Sequence, residues 1–140
     1  MRYLLDTNVV SETRRLRPDP GVTAFLSAAD ATSLFISVLT LGEMHRGVIA
    51  KRRTDPLAAD QLGLWVDGIE TMFADRILPV DAAAARRWGE LSAARSLPVV
   101  DTLIAATALV NGLVLVTRNM RDLEATGATL IDPWLTGRRG

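Results

Sequence analysis

Residues 3–10 read Tyr3-Leu4-Leu5-Asp6-Thr7-Asn8-Val9-Val10, a short apolar run that ends at an acid and continues into polar residues. This order is typical of a buried strand followed by a helix. Apolar runs recur at residues 34–36 and 113–116, separated by stretches with helical spacing. Apolar strands that alternate with helices indicate a parallel sheet covered on both faces. The sequence therefore predicts an α/β protein with three layers, α/β/α, around a central, mostly parallel sheet.

Capping residues and hydrophobic periodicity divide the rest of the chain. Asp19 before Pro20 predicts a helix start, as does Asp81, and Gly112 predicts a helix end in the left-handed conformation. Without repeats or a linker, residues 1–140 are expected to form a single domain. The expected strands are residues 3–5, 34–36, 77–78, 113–116 and 129–131. After a first helix beyond Asp6, the expected helices are residues 20–29, 41–53, 57–73, 81–95 and 100–111, with a polar loop after residue 117 and a frayed tail at residues 137–140.

Composition excludes several kinds of chemistry. The 140 residues contain no cysteine and one histidine, His45, so thiolate metal sites, disulfides and multi-histidine sites are impossible. Sixteen basic and 16 acidic residues give a formal net charge of zero, so nucleic acid would have to bind local patches.

We expect a cytoplasmic protein, because no segment resembles a signal peptide or a membrane-spanning helix. The mean hydropathy of +0.20 predicts that another chain covers some apolar surface.

Four acids are expected to meet at the carboxyl edge of the sheet. Asp6 closes the first strand, and Asp122 follows the strand at residues 113–116. Glu43 lies early in the helix after the second strand, and Asp101 lies in the first turn of the helix before the strand at residues 113–116. Clustered carboxylates repel one another, so a divalent cation would stabilise them, and hard oxygen ligands favour Mg²⁺ or Mn²⁺. Such a site can hydrolyse phosphodiesters without histidine.

Four segments, in this order and spacing, resemble PIN-domain ribonucleases of the VapC toxin type. They are Leu5-Asp6-Thr7-Asn8-Val9-Val10-Ser11-Glu12, Ser37-Val38-Leu39-Thr40-Leu41-Gly42-Glu43, Asp101-Thr102-Leu103-Ile104-Ala105-Ala106-Thr107-Ala108 and Thr117-Arg118-Asn119-Met120-Arg121-Asp122. The resemblance covers nearly the whole chain and implies a PIN-like fold. It also implies RNA cleavage as the activity, a homodimer, and a cognate antitoxin that blocks the site. Leu123 departs from the phenylalanine that such proteins often carry, which changes packing alone.

The resemblance also assigns roles to individual residues. Asp6, Glu43, Asp101 and Asp122 would be catalytic residues that hold one or two Mg²⁺ or Mn²⁺ ions. Thr117 and Asn119 would support the site, and Thr7 and Asn8 would shape it. Two further candidates follow from their position, because Arg118 and Arg121 flank the last acid and are suited to bind RNA phosphates. The basic run at Arg14, Arg15 and Arg17 is usually a solvated face, and would contact RNA only if it lies on the crevice side.

Each acid also has a structural alternative. Asp6 is suited to cap the first helix, and Asp122 a short later one. Thr40 with Glu43 forms a capping-box pattern, and Asp101 would favour the positive end of its helix. Independent structural roles at all four positions are a weaker explanation than one shared site.

Other functions fit the sequence less well. An aspartyl-phosphate phosphatase would need a second aspartate where Asn8 stands, and a phosphoacceptor domain would need a lysine at a strand end, whereas the only lysine, Lys51, follows a helix. Two alternatives stay open. One is a PIN nuclease of RNA maturation or DNA cleavage, and the other is a PIN-like binding module without activity.

Overall fold

The computed structural model describes residues 1–136 and matches most of the predicted elements. Its strands are β1 Tyr3–Leu5, β2 Leu34–Ser37, β3 Ile77–Leu78, β4 Val114–Val116 and β5 Leu130–Ile131. Its helices are α1 Thr7–Glu12, α2 Pro20–Ala28, α3 Val38–Arg52, α4 Pro56–Met72, α5 Ala82–Ala94, α6 Val99–Asn111, α7 Met120–Leu123 and α8 Pro133–Thr136. Short 3-10 helices span Ala31–Ser33 and Glu124–Thr126. Residues 137–140, for which a frayed tail is predicted, lie outside the described residues.

The five strands of the described chain form one parallel sheet in the order β3-β2-β1-β4-β5. The mostly parallel sheet is thus confirmed. The chain builds outwards from β1 to β2 and β3, then returns to place β4 on the other side of β1. β1 and β4 therefore flank the point where the strand order reverses, and in open α/β sheets ligands bind at the carboxyl ends of such strands.

Side chains of successive strand residues enter different helix layers, because they point to opposite faces. On one face, Leu5 and Val116 pack with residues of α1, α2, α3, α4 and α8. On the other face, Leu4 and Leu115 pack with residues of α6 and α7, and α5 packs against α6. Both faces of the strands are buried, which is why these runs are apolar throughout. The three-layer α/β/α architecture is confirmed.

The helix ends predicted at Asp19, Asp81 and Gly112 are confirmed. Asp19 accepts hydrogen bonds from the backbone N–H groups of Gly21 and Val22, with Pro20 as the first helical residue. Asp81 accepts one from the N–H of Ala84. Gly112 ends α6 at a φ of +65°, where an L side chain would be strained.

One prediction about local structure is wrong, and one structural alternative does not hold. The polar loop expected after residue 117 contains α7 and a 3-10 turn, and the last residue of α7, Leu123, is fully buried. The capping box at Thr40 and Glu43 does not exist, because α3 begins at Val38 and its N-cap is Ser37, whose Oγ accepts from the Leu39 N–H at 3.0 Å.

No helix within residues 1–136 has the length and apolar character that a membrane span requires.

Candidate functional site

Backbone pairing brings the ends of β1 and β4 side by side. The Asp6 N–H donates to the Val116 carbonyl at 2.9 Å and so extends the pairing of β1 with β4. The Thr117 N–H donates to the Ile131 carbonyl at 2.9 Å, which extends the pairing of β4 with β5. Asp6 and Thr117 are the residues that directly follow these strands. The switch point in strand order thus places two polar side chains from opposite parts of the chain in contact, at the edge where the sequence predicted the site.

Asp6 is the most constrained acid of the four. Its side chain is 3% exposed, with Oδ1 accepting from the Thr7 N–H at 2.8 Å and Oδ2 accepting from the Thr117 hydroxyl at 2.8 Å. Burial raises the pKa of this carboxyl, the two hydrogen bonds oppose that rise, and repulsion from Asp101 and Glu43 adds to it. Asp6 is also the N-cap of α1. The structural alternative and the proposed site role therefore coexist in one residue.

Glu43 accepts a hydrogen bond from Thr7 on α1, and Thr7 contacts Thr40, which lies on α3 like Glu43 itself. The Thr7 hydroxyl donates to Glu43 Oε1 at 2.6 Å, and the Thr7 and Thr40 hydroxyl oxygens are 3.0 Å apart. Because a hydroxyl has a single hydrogen, Thr7 must accept from Thr40 while it donates to Glu43. Thr40 is fully buried and supports Glu43 through Thr7, a role that the sequence did not indicate. The spacing of three residues between Thr40 and Glu43 was the available signal, and a capping box was the structural alternative that it suggested.

Asp101 lies in the first turn of α6, and Asn119 holds it from the loop after β4. Asn119 Nδ2 donates to Asp101 Oδ2 at 2.9 Å, while the Asn119 backbone N–H donates to the Thr117 Oγ at 3.0 Å. Burial raises the pKa of Asp101, the bond from Asn119 opposes it, and repulsion from Glu43 and Asp122 raises it further. Thr117 and Asn119 thus link Asp6 to Asp101 through side chains that the sequence predicted as supports.

Asp122 is the least constrained acid. It is exposed on α7, where the sequence predicted a loop, and its carboxylate makes no hydrogen bond or ion pair within residues 1–136. It does not cap that helix, whose N-cap is Asn119. Its negative charge adds to the rise in the pKa of Asp101, after burial and the charge of Glu43.

The predicted substrate-binding residues near these acids differ in their contacts and exposure. Asn8 Oδ1 accepts from the Arg118 N–H at 3.4 Å, and the Arg118 guanidinium lies 5.0 Å from the Trp134 ring centroid. Arg121 is exposed on α7. The stacking on Trp134 had no signal in the sequence, because it depends on how α8 packs after β5.

The carboxylates at this edge of the sheet are hard oxygen donors. Among the described residues, a single cationic side chain reaches the acids, with Arg46 Nη2 3.9 Å from Glu43 Oε2 on an exposed face. No three acidic or imidazole side chains within residues 1–136 are grouped closely enough to hold a metal ion by themselves. Mg²⁺ in proteins keeps several waters and takes one or two carboxylates directly, so mutually repelling carboxylates around an open crevice fit such an ion.

Comparison with known proteins identifies the family. The PIN domain model matches residues 3–128, so the chain belongs to the PIN-domain family. It is similar to the VapC ribonuclease Y4jK of Sinorhizobium fredii, at 34% identity over 94% of this chain and 96% of the relative. The crystal structure of FitAcB from Neisseria gonorrhoeae superposes with a TM-score of 0.86, at 29% identity over 94% of this chain and 98% of that one. VapBC-5 from Mycobacterium tuberculosis, a member of the VapBC family of toxin-antitoxin systems, has a TM-score of 0.61, with 28% identity and coverage of 93% and 95%. The resemblance predicted from the four segments is confirmed.

Proposed function

We propose that this protein is a metal-dependent endoribonuclease and the toxin of a toxin–antitoxin pair. One observation carries the proposal. Carboxylates from four separate segments lie near enough to the switch point of the sheet to repel one another: burial raises the pKa of Asp6 and of Asp101, and repulsion from the neighbouring acids adds to that rise. A protein that crowds acids in this way without basic partners for most of them needs a cation to neutralise them. The relative from Sinorhizobium fredii, named a ribonuclease, supports the choice of RNA as substrate.

The residues that would hold Mg²⁺ or Mn²⁺ are Asp6, Glu43, Asp101 and Asp122. When bound, such an ion lowers the pKa of a coordinated water and neutralises charge that builds on the phosphate. The chain's own residues prepare this chemistry. The hydroxyls of Thr117 and Thr7 orient Asp6 and Glu43, and the Asn119 amide orients Asp101. Arg118, whose guanidinium is steadied by the Trp134 ring, and Arg121 would bind phosphates of the RNA.

The proposed setting includes two protein partners. A structural relative belongs to a family of toxin-antitoxin systems, which supports a cognate antitoxin that covers the crevice. A second copy of this chain is proposed as the other partner, since several large apolar side chains are exposed, among them Leu57, Leu64 and Met72. Cellular RNA as substrate places the proposed activity in the cytoplasm.

The deciding experiment is RNA cleavage by the purified chain without antitoxin. Each reaction contains Mg²⁺, Mn²⁺ or excess chelator, and an Asp6→Asn variant from the same preparation serves as control. We expect cuts that require the metal and are absent from the control. Cleavage that persists in chelator would refute the metal-dependent mechanism. A folded, metal-binding protein that cuts none of a broad set of RNAs would favour the binding-module alternative.

A further inference from the structure

Two surface depressions meet at Glu43, one on each side of α3. The larger, with a volume of about 270 Å³, lies between α1, α3 and α4, and shares Thr7 and Glu43 with the crevice of acids. The smaller, of about 220 Å³, lies between α3 and the start of α6, and contains Glu43 and Arg46. A strand of nucleic acid that presents a phosphate to the acids must continue into one or both of these depressions.

The larger depression has a charged wall and an apolar floor. Arg14 and Arg15 follow α1 and line its wall, and both are exposed. Arg15 is 3.5 Å from the buried Glu12 in an ion pair, whereas Arg14 forms no ion pair within residues 1–136. The floor consists of Met44, Leu62 and Trp65. The volume is close to the lower end of the range for ligand sites, about 300–1,000 Å³.

This combination matches one nucleotide of a single-stranded RNA. A nucleotide carries a flat apolar base beside a phosphate, and proteins bind single strands with aromatic side chains for the bases and basic side chains for the backbone. Arginine is suited to the phosphate, because its planar group donates two parallel hydrogen bonds. Continuity with the acids favours RNA over a peptide as the occupant, since the strand being cut necessarily passes beside Glu43.

We propose that the depression between α1, α3 and α4 is a binding subsite for a nucleotide next to the cleaved bond. Its base packs against Trp65, Leu62 and Met44, and its phosphate binds Arg14 and Arg15. The inference rests on the proposed ribonuclease function and adds a substrate-binding element outside the four acids. It also gives a role to Arg14 and Arg15, for which the sequence left open both a solvated face and a contact with RNA on the crevice side.

The first test compares the double variant Arg14→Ala/Arg15→Ala with Arg86→Ala, an exposed arginine on α5 across the sheet. Affinity for a fluorescent single-stranded oligoribonucleotide is measured by anisotropy in Mg²⁺ at several salt concentrations, with Asp6→Asn added to each protein so that the RNA stays intact. A cleavage assay without Asp6→Asn gives KM and kcat. We expect the double variant to bind about tenfold more weakly. Its log–log salt slope should fall by about 0.7 for each phosphate that it no longer neutralises. KM should rise while kcat is maintained, and Arg86→Ala should match the unsubstituted protein.

Because binding is measured directly, the subsite and the proposed function fail separately. RNA bound through Arg14 and Arg15 without any cleavage would refute the nuclease and keep the subsite. Equal RNA affinity and salt slope in the double variant and Arg86→Ala would refute the subsite. If that equality came with weaker binding of the cognate antitoxin, the occupant would be the protein partner.

A second test locates the base. Photocrosslinking of 4-thiouridine-labelled RNA, followed by trypsin digestion, should label the peptide of residues 54–76, which contains Leu62 and Trp65 and no internal cleavage site. A label found only in other peptides would refute base packing on this floor. Loss of the label in Arg14→Ala/Arg15→Ala, with folding verified by circular dichroism, would connect phosphate binding by the arginines to the position of the base.

Discussion

The two halves of the crevice are held in different ways. Asp6 and Glu43 accept hydrogen bonds from the hydroxyls of Thr117 and Thr7, and Asp6 is 3% exposed. On the other side, Asp101 is held by the single amide of Asn119, and Asp122 is exposed without a hydrogen bond to any described residue. The first half is therefore held by two hydroxyl bonds, of which the bond from Thr117 to Asp6 is buried and the bond from Thr7 to Glu43 is part-buried. The second half is free to adjust, which suits a site that must admit a bulky polymer and release it.

The largest expected effect comes from neutralising one acid of each half. Asp6→Asn and Asp101→Asn keep the side-chain volume and remove a proposed metal ligand. Loss of an outer partner of a metal site costs about 10–100-fold, so each variant should lose more than about 100-fold in cleavage. Specific activity in Mg²⁺ is the measurement, with circular dichroism to verify the fold. Full activity in both variants would exclude the assigned site.

Removing the hydroxyl that orients Asp6 should have the next largest effect. Thr117→Val leaves Asp6 Oδ2 without its donor and the Asn119 N–H without its acceptor. We expect metal affinity to fall by about 10–100-fold, measured by calorimetric titration. The threonine is buried, so stability should also fall by about 1–3 kcal/mol. Thr117→Ser restores the hydroxyl and should recover metal affinity. A Thr117→Ser variant as weak as Thr117→Val would contradict the role of the hydroxyl, because serine keeps that group.

A smaller effect is expected at the adjustable end of the crevice. Asp122→Asn removes an exposed charge, and interactions of exposed charges are worth about 0–1 kcal/mol, or up to about fivefold in rate. Higher Mg²⁺ should restore the rate, because the loss is one of cation attraction. Glu124→Gln makes the same charge change two residues further on, at the end of α7, and should leave the rate as it is. An Asp122→Asn variant as inactive as Asp6→Asn would show that the exposed acid is required as strictly as the buried one.

The smallest effect concerns the stability of the metal-free protein. The pKa of Asp6 is raised above the ordinary 3.8, so the folded state favours its neutral form. That contribution is complete below pH 3.8 and is lost as the pH rises through the folded pKa. In chelator, Asp6→Asn should therefore melt a few degrees above the unsubstituted protein at neutral pH, and the difference should shrink towards pH 4.

Asp30→Asn provides a control of opposite sign for this melt. Hydrogen bonds from the backbone N–H and the hydroxyl of Thr32 hold the pKa of Asp30 below its ordinary value. Neutralising it should not raise the melting temperature at neutral pH. A melting temperature for Asp6→Asn that is lower at neutral pH in chelator would contradict the repulsion among the acids.

The sequence predicted the fold and the positions of Asp6 and Asp101, because these depend on local signals that the tertiary structure does not alter. A buried strand is recognised by its apolar run, and the residue after it must lie at the sheet edge. The four-residue helix α7 has too few residues for a periodicity, so Asp122 was predicted in a loop. The capping box failed for a related reason, since α3 begins before Thr40 and the pattern requires the threonine to be the first, non-helical residue.

Contacts between distant segments could not be predicted from residue types. The hydroxyl bond from Thr40 to Thr7 depends on how α1 and α3 pack, and the stacking of Arg118 on Trp134 depends on α8. The roles of Thr7, Asn8, Thr117 and Asn119 as supports stay predictions, although the structure shows three of them in contact with an acid. Binding of Mg²⁺, dimer formation and the single domain over residues 1–140 also stay predictions.

The bond between Thr117 and Asp6 joins residues 111 positions apart, which has a consequence for synthesis on the ribosome. A nascent chain forms β1 and β2 early, but the second side of β1 stays unpaired until residues 114–116 emerge. Until then Asp6 lacks its orienting hydroxyl, and Asp101 lacks Asn119. A translation product that terminates before residue 114 therefore lacks Thr117, Asn119 and Asp122. It also exposes a bare strand edge, which marks it for aggregation or proteolysis.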